Sequence, residues 1–317
     1  MSIANYIKEI GRGREGARSL SAEQSHDLMG QVLDGRVSDL ELGAFALAMR
    51  IKGESTDELS GFLRAVHERS LKLSPATPLV ILPSYNGARK LPNLTALLAL
   101  LLAQNDIPVL VHGPSKDPSR VTTAAVFHDL GLPTALDAAD VPHAWARREP
   151  VFMATETLCP ALARLLDVRW VIGLRNAGHT VAKLLDPTTE GHSFRVVNHT
   201  HPEYGEVLTD FLQREHANAM LLRGTEGEPV ADPRRLPRLD VFLQGQLRPE
   251  LSVAAQEGVL TELPVLPRNI DAATTAVYIQ SVISGEKPAP GPLARQAECI
   301  AAAWRALAAE RACERSA

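Results

Sequence analysis

The first 72 residues repeat apolar positions with the period of an α-helix. Ile3, Ile7 and Ile10 lie on one face of a first predicted helix. Three more helices are predicted, because a serine precedes Glu or Gln by three residues just before each apolar pattern begins. These capping pairs are Ser21 with Gln24, Ser38 with Glu41, and Ser55 with Glu58. The pattern predicts an N-terminal helical domain over residues 1–72.

After residue 78 the pattern changes to short apolar runs separated by longer helical segments. Leu79–Leu82 predicts a buried strand, residues 93–104 a helix, and Val109–Val111 a second strand. A strand, a helix and a strand in succession indicate a parallel pair with a right-handed crossover. Further alternation predicts an α/β domain over residues 78–317, with a mainly parallel central sheet.

Composition narrows the classes of function. The 317 residues are 45% hydrophobic and 22% charged, as in an ordinary globular protein, and the net charge of −4 argues against a bulk polycation. Three widely spaced cysteines without a CxxC pattern favour a reducing cytoplasm over a disulfide framework. No apolar run approaches the ~18 residues of a membrane span, so no membrane partner is expected.

Basic residues follow the first two strands of the α/β segment. Arg89 and Lys90 come after the first strand, and Lys116 and Arg120 after the second, with Asp117 as the one acid among them. Ligands of open α/β sheets bind beyond the carboxyl ends of the strands. The sequence therefore predicts an anionic ligand at this edge.

A second group of cations lies between residues 164 and 183. Its members are Arg164, Arg169, Arg175 and Lys183, and Asp167 is the acid among them. This excess of positive charge is either an ordinary solvated helix face or a phosphate-binding surface. Elsewhere, His199 and His201 lack a third ligand nearby in the sequence, so no metal site is predicted, and no residue is assigned a catalytic role.

The helical segment carries a run of motifs, namely Leu20-Ser-Ala-Glu23, Val37-Ser-Asp-Leu40, Ala44–Arg50, Lys52-Gly-Glu-Ser55 and Glu58-Leu-Ser-Gly61. This run resembles the N-terminal domain of the superfamily of nucleoside phosphorylases and anthranilate phosphoribosyltransferases, the glycosyl transferase family 3. Downstream, Val168–Asn176 with Pro187 looks like the arginine-bearing segment of the family. We expect helices from about 158–185 to join the N-terminal domain in space.

The chain as a whole is more similar to a divergent branch of this superfamily, the YbiB-type proteins. The most diagnostic motifs are Pro83-Ser-Tyr-Asn-Gly-Ala-Arg-Lys90 and Val111-His-Gly113. The resemblance implies a homodimer that binds nucleic acid, DNA or RNA, without sequence preference. It also implies that the tryptophan-pathway activity is absent.

The phosphate-binding loop departs from the pattern of the transferases. Those enzymes place a Gly-Thr-Gly-Gly-Asp loop after the first strand, whose backbone amides cradle the diphosphate of phosphoribosyl pyrophosphate. Here the loop reads Pro83-Ser-Tyr-Asn-Gly87, with one glycine and no acid. Several polar positions are retained, and the resulting candidates for a phosphate pocket are Ser84, Asn86, Gly87, Asn93, Thr95, His112 and Gly113.

The metal-binding positions differ as well. The enzymes hold Mg²⁺ with an Asp-Glu pair, whereas the corresponding positions here are Pro229 and Val230. Mg²⁺ on a diphosphate needs carboxylate oxygens, and without the metal the charge on the leaving diphosphate is poorly neutralised. Glu226 or Glu228 is the possible substitute. No cofactor is expected, and Mg²⁺ enters only if the chain is a transferase.

Two hypotheses of different classes follow. The favoured one is a homodimeric module that holds nucleic-acid phosphates through Arg89, Lys90, Lys116, Arg120, Arg164, Arg169, Arg175 and Lys183. The alternative is a phosphoribosyltransferase with an altered substrate and metal site, which binds its donor through Ser84, Asn93 and Thr95. A weaker third reading is a sensor of a small phosphorylated metabolite. An aromatic content of 4% suits backbone contact rather than base stacking.

Overall fold

The computed structural model describes residues 2–13, 15–189, 192–258 and 263–314. The chain divides into two compact units. The first contains Met1–Leu71 and Thr155–Pro187, and the second contains Lys72–Ala154 and Thr188–Ala317. The segment Thr155–Pro187 therefore interrupts the second unit in sequence and belongs to the helical one.

The helices of the described residues are, in chain order, α1 Ala4–Ile10, α2 Ala22–Leu33, α3 Asp39–Lys52, α4 Thr56–Glu68, α5 Thr95–Ala103, α6 Thr123–Leu130, α7 Asp140–Ala146, α8 Thr155–Leu158, α9 Pro160–Ile172, α10 Gly178–Ala182, α11 Pro202–Arg214, α12 Ala272–Ile283 and α13 Gly291–Glu314. A short 3₁₀ turn spans Thr225–Gly227. Within the described ranges no helix is long and apolar enough to cross a bilayer.

The first unit is helical, as the sequence predicts. Ser21, Ser38 and Ser55 each accept a backbone hydrogen bond at the start of α2, α3 and α4, so all three capping boxes are confirmed. Helices α2 and α4 pack closely at Gly61, where a Cβ would collide with the carbonyl oxygen of Ala22.

The second unit is built on one sheet. Its strands are β1 Leu79–Pro83, β2 Val109–Gly113, β3 Thr134–Ala135, β4 Val151–Ala154, β5 Ser193–His199, β6 Ala219–Arg223, β7 Leu239–Leu243 and β8 Gln246–Leu247. The order is β3-β4-β2-β1-β5-β6-β7-β8, parallel from β3 to β6 and antiparallel at β7 and β8. The predicted fold class, a helical domain with a larger α/β domain and a mainly parallel sheet, is confirmed.

Helix α5 explains how the core positions the loop after β1. It is apolar all round and almost wholly buried, with α12 and α13 packed against it. Trp304 of α13 donates its indole N–H to the carbonyl oxygen of Pro78 at 2.6 Å, which anchors the chain just before β1. Because β1 is buried along its length and α5 is fixed in the core, the connection between them is held at both ends.

Candidate functional site

The carboxylate of Glu228 lies inside the loop that follows β1. Its Oε1 atom accepts the backbone N–H groups of Asn86 and Gly87, both at 2.7 Å. Its Oε2 atom accepts the hydroxyl groups of Ser84 and, at 3.2 Å, Thr95. Glu228 is 2% exposed. Four donors meet the acceptor capacity of one carboxylate, so this buried group is fully hydrogen-bonded.

A second carboxylate, that of Glu226, lies at the far end of the same loop. The backbone N–H groups of Arg89, Lys90 and Leu91 donate to it over 3.0–3.2 Å. Successive amides that converge on one anion form a nest, the arrangement that holds phosphate groups in many proteins. Partial burial by itself raises the pKa of Glu226, but the amide hydrogen bonds outweigh burial and lower this pKa overall.

The two glutamates come from one connection, residues 224–230, which we call the strap. It is locked to the loop at Gly227, whose φ is +86° and where a Cβ would collide with the side-chain amide of Asn86. That amide donates to the carbonyl oxygen of Glu226 at 2.7 Å. Glu226 itself has a φ of 53°, a conformation that few non-glycine residues adopt. The strap is therefore held in one specific shape.

Helix α13 supports the strap from behind. The buried Gln296 donates its side-chain amide to the carbonyl oxygen of Pro229 at 3.1 Å. Its carbonyl oxygen accepts the backbone N–H of Ala231 at 2.8 Å. Both polar groups of this buried amide are thus used to fix the strap against the core.

The predicted phosphate-pocket residues mostly come together around Glu228. The hydroxyl of Thr123 lies 2.6 Å from the hydroxyl of Ser84. It also accepts a hydrogen bond of 2.9 Å from the side-chain amide of Asn93. The side-chain oxygen of Asn93, Oδ1, accepts the backbone N–H of Thr95 at 3.2 Å. The residues joined in this network are Ser84, Asn86, Gly87, Asn93 and Thr95.

His112 and Gly113 support the loop at the end of β2. The hydroxyl of Tyr85 lies 2.8 Å from Nδ1 of His112, and the two rings meet edge to face. A Cβ on Gly113 would collide with the backbone oxygen of Ser84, so glycine is required for this close approach. The bulky Tyr85 is thereby turned inward and buried.

The structure also brings the predicted cations of the second unit to neighbouring loops. Ala88 and Val121 exchange backbone hydrogen bonds of 2.8 and 3.1 Å, which join the loop after β1 to the one after β2. Arg120 reaches across this junction and donates to the carbonyl oxygen of Gly87 at 3.4 Å. The side chains of Arg89, Lys90 and Lys116 are exposed.

A cleft of about 1190 Å³ opens beside the strap and was missed by the sequence reasoning. Lys90 lines it together with four arginines that were not predicted, namely Arg223, Arg234, Arg235 and Arg238. Ion pairs of 2.7 Å join Arg234 to Asp232 and Arg238 to Asp240. The available signal was the basic run Pro233-Arg-Arg-Leu-Pro-Arg238.

In the first unit, three of the four predicted cations act on one histidine. Burial lowers the pKa of His179 to about 3, and the charges of Arg175, Arg169 and Lys183 contribute to this shift. These three side chains therefore share a region of positive potential. The fourth, Arg164, donates to the carbonyl oxygen of Leu33 at 3.3 Å and so binds the C-terminal end of α2.

The carboxylates near the loop do not suit a magnesium ion. The side chains of Glu226 and Glu228 accept N–H and O–H donors, whose positive ends repel a cation. Over the part of the chain that the structure describes, no group of three or more His, Cys, Asp or Glu residues could hold a metal ion. In this arrangement the N–H and O–H donors occupy the oxygens with which either glutamate would hold the ion.

Comparison with solved structures concerns the fold. Anthranilate phosphoribosyltransferase from Thermus thermophilus superposes with a TM-score of 0.74 at 21% identity, covering 96% of this chain and 89% of that one. The enzyme from Saccharomyces cerevisiae in complex with PRPP and Mg gives a TM-score of 0.67 at 14% identity, covering 93% and 85%. At these identities the likeness establishes the fold alone.

Sequence comparison establishes the family. Residues 4–70 match the model of the glycosyl transferase family, helical bundle domain. The chain is 25% identical over 296 residues to anthranilate phosphoribosyltransferase of Methanopyrus kandleri, covering 91% of this chain and 85% of the relative. It is 39% identical over 302 residues to the uncharacterized protein YbiB of Escherichia coli (strain K12), covering 94% and 93%. The chain belongs to the anthranilate phosphoribosyltransferase-like superfamily, glycosyl transferase family 3.

Proposed function

We propose that this protein binds nucleic acid without sequence preference, as a homodimer, through contacts from basic side chains to phosphates. The observation that carries this proposal is that the backbone N–H groups and the basic side chains of the loop after β1 have different roles. Its backbone donors are used by Glu226 and Glu228, whereas the side chains of Arg89 and Lys90 extend into solvent. Phosphates are therefore bound by long basic side chains at the surface and not in a closed phosphate pocket.

Further cations extend this surface on the second unit. Lys116 is exposed in the loop that Ala88 and Val121 join to the first one, and Arg120 lies at the junction. Long basic side chains on loops suit a phosphate backbone, because they contact charge without reading base edges. Binding of this kind is tolerant of sequence.

The first unit contributes an independent region of positive potential. Arg169, Arg175 and Lys183 each lower the pKa of His179, so their fields add at one place. His179 is uncharged at neutral pH and adds nothing to this potential itself. A phosphate chain is attracted to such a region wherever its cations face solvent.

The homodimer is supported by an exposed apolar stripe on α3. Leu40, Leu47 and Ile51 are 84%, 47% and 61% exposed, and they recur at helical spacing on one face. An apolar hollow of about 280 Å³ beside them is lined by Ile7 and Ala44, among others. Burying such a stripe against a second copy removes apolar surface from water. A dimer also doubles the number of phosphate contacts on one nucleic acid.

Phosphoribosyl transfer is the second candidate, and membership of the superfamily favours it. The retained Ser84, Asn93 and Thr95 would bind the donor in that case. Against it stands the carboxylate of Glu228, which already accepts the hydroxyls of Ser84 and Thr95. Calorimetric titration with phosphoribosyl pyrophosphate and Mg²⁺ that releases binding heat would revive this candidate.

The test of nucleic-acid binding compares two double variants with a labelled oligonucleotide in fluorescence anisotropy. Arg89→Ala/Lys90→Ala removes two cations beside the strap, and we expect roughly tenfold weaker binding. Arg147→Ala/Arg148→Ala removes another pair of neighbouring, exposed arginines. This pair precedes β4 and so lies at the N-terminal end of a strand, whereas Arg89 and Lys90 follow the C-terminal end of β1. This control keeps the net charge equal and should leave affinity close to that of the parent. Equal losses in both variants would contradict the proposed surface.

A further inference from the structure

We propose that the loop after β1 is an anion-binding cradle whose anions are supplied by the chain itself, and that the strap closes this cradle to phosphorylated small molecules. Glu228 and Glu226 are the built-in anions. This inference goes beyond nucleic-acid binding and stands whether or not that proposal is correct, because it concerns donors that the surface cations do not use.

The first half of the cradle is the set of donors around Glu228. Two successive backbone N–H groups, of Asn86 and Gly87, and two hydroxyls, of Ser84 and Thr95, converge on one carboxylate. Such a set binds an oxyanion of any kind, since it supplies hydrogen bonds and no counter-charge that discriminates. In this chain the oxyanion is covalently attached and buried.

The second half is the nest of N–H groups from Arg89, Lys90 and Leu91 around Glu226. Unlike Glu228, Glu226 is partly exposed, so its site remains in contact with solvent. The amide hydrogen bonds lower the pKa of Glu226, which keeps the carboxylate ionised at neutral pH. The exposed half of the cradle therefore holds a negatively charged carboxylate.

A phosphorylated ligand must displace these carboxylates to reach the same donors. The strap resists displacement, because Gly227 is locked against Asn86 and Gln296 holds the chain at Pro229 and Ala231. An incoming phosphate also meets the ionised carboxylate of Glu226, a like charge that repels it. The tethered anion has a high effective concentration that a dissolved one lacks.

Chemical rescue tests the first half. Glu228→Ala deletes a group equivalent to acetate and leaves the buried donors without an acceptor. Its midpoint of thermal unfolding should fall below that of the parent in chloride. In acetate at equal ionic strength it should recover by about 2–4 °C or more beyond any change of the parent, because acetate binds the folded state.

Two further variants make this test specific. Glu228→Gln has the shape of the glutamate but presents an amide to N–H donors, so it should be destabilised and acetate should not rescue it. Glu226→Ala opens the solvent-exposed nest without emptying the buried site, and it remains usable if Glu228→Ala does not fold. In a calorimetric titration it should bind pyrophosphate more tightly than the parent does.

Pyrophosphate binding by the parent as tight as that of Glu226→Ala would overturn the inference. A response of Glu228→Ala to acetate no larger than that of the parent would also overturn it. Loss of nucleic-acid binding in the Arg89→Ala/Lys90→Ala variant bears on the proposed function alone. The two proposals therefore fail separately.

Discussion

Glu228 accepts the backbone N–H of Gly87 at 2.7 Å across 141 residues of chain. This bond joins the loop after β1 to the strap after β6, two connections that leave the same edge of the parallel sheet. Strands β1 and β6 both pair with β5, so their carboxyl ends lie close enough for one side chain to reach the other loop. The candidate site is a consequence of this topology.

Replacing the carboxylate of Glu228 by an amide should destabilise the protein. Glu228→Gln places an N–H₂ group against N–H and O–H donors, so at least one buried donor loses its partner. We expect a loss of about 1–3 kcal/mol in the free energy of unfolding, measured by urea denaturation. Glu250→Gln is the control, because that side chain is exposed and pairs with Arg248 at the surface. Equal stability of the two variants would contradict the role of Glu228.

Glycine at position 227 should be required both by its backbone conformation and by its close contact with Asn86. A second glycine, Gly131, shares only the first feature and serves as the control. Gly227→Ala introduces a Cβ at a φ of +86° and against the amide of Asn86. Gly131→Ala introduces one at a φ of +68° with no heavy atom within 4 Å. We expect Gly131→Ala to lower the free energy of unfolding by about 1 kcal/mol, because of its backbone conformation, and Gly227→Ala to lower it clearly more. If calorimetry gives similar losses of stability for the two variants, the strap shifts to accommodate the added methyl group.

Acid should destabilise the first unit through His179. Burial, with the charges of Arg175, Arg169 and Lys183, lowers the pKa of this histidine to about 3 from its ordinary 6.5. Between these values the unfolded chain binds a proton that the folded chain does not, so stability falls as the pH falls below about 6.5. His179→Gln should reduce this pH dependence. A parent and variant with the same slope between pH 6.5 and 4 would contradict the assignment.

A charge on the apolar stripe of α3 should prevent self-association. Leu47→Asp places a carboxylate on the face shared by Leu40 and Ile51, and we expect a monomer by light scattering after size exclusion. Val277→Asp on α12 is the control, since Val277 is also exposed but belongs to the second unit. If the parent and Leu47→Asp both form dimers, the interface lies elsewhere.

Much of the fold follows from local sequence signals. Ser38 with Glu41, for example, marks a helix start that needs no tertiary information, and the observed capping box confirms it. The apolar run at Leu79–Leu82 likewise marks a buried strand, because a strand covered on both faces needs apolar residues at every position. Such signals act over a few residues and survive in most contexts.

The candidate site was only partly predictable, because its decisive contacts are long-range. Ser84 and Thr95 could be recognised as polar positions of a loop, but their acceptor is 144 and 133 residues away. Glu228 in an otherwise irregular segment resembles a solvated surface acid, and nothing near it in sequence indicates that it is buried. Arg234 and its neighbours were missed for the same reason: the cleft that they line forms only when the loop after β1 meets the strap.

The central claim, that surface cations bind phosphates, is tested most directly by the salt dependence of binding to a duplex. We predict that log affinity falls linearly with log salt, with a slope steeper than about −3 if the four cations Arg89, Lys90, Lys116 and Arg120 are engaged. Arg89→Ala/Lys90→Ala should flatten that slope by about 2, whereas Arg147→Ala/Arg148→Ala should leave it unchanged. An affinity that hardly changes between about 50 and 200 mM salt would contradict binding through phosphate contacts, because such contacts weaken strongly over this range.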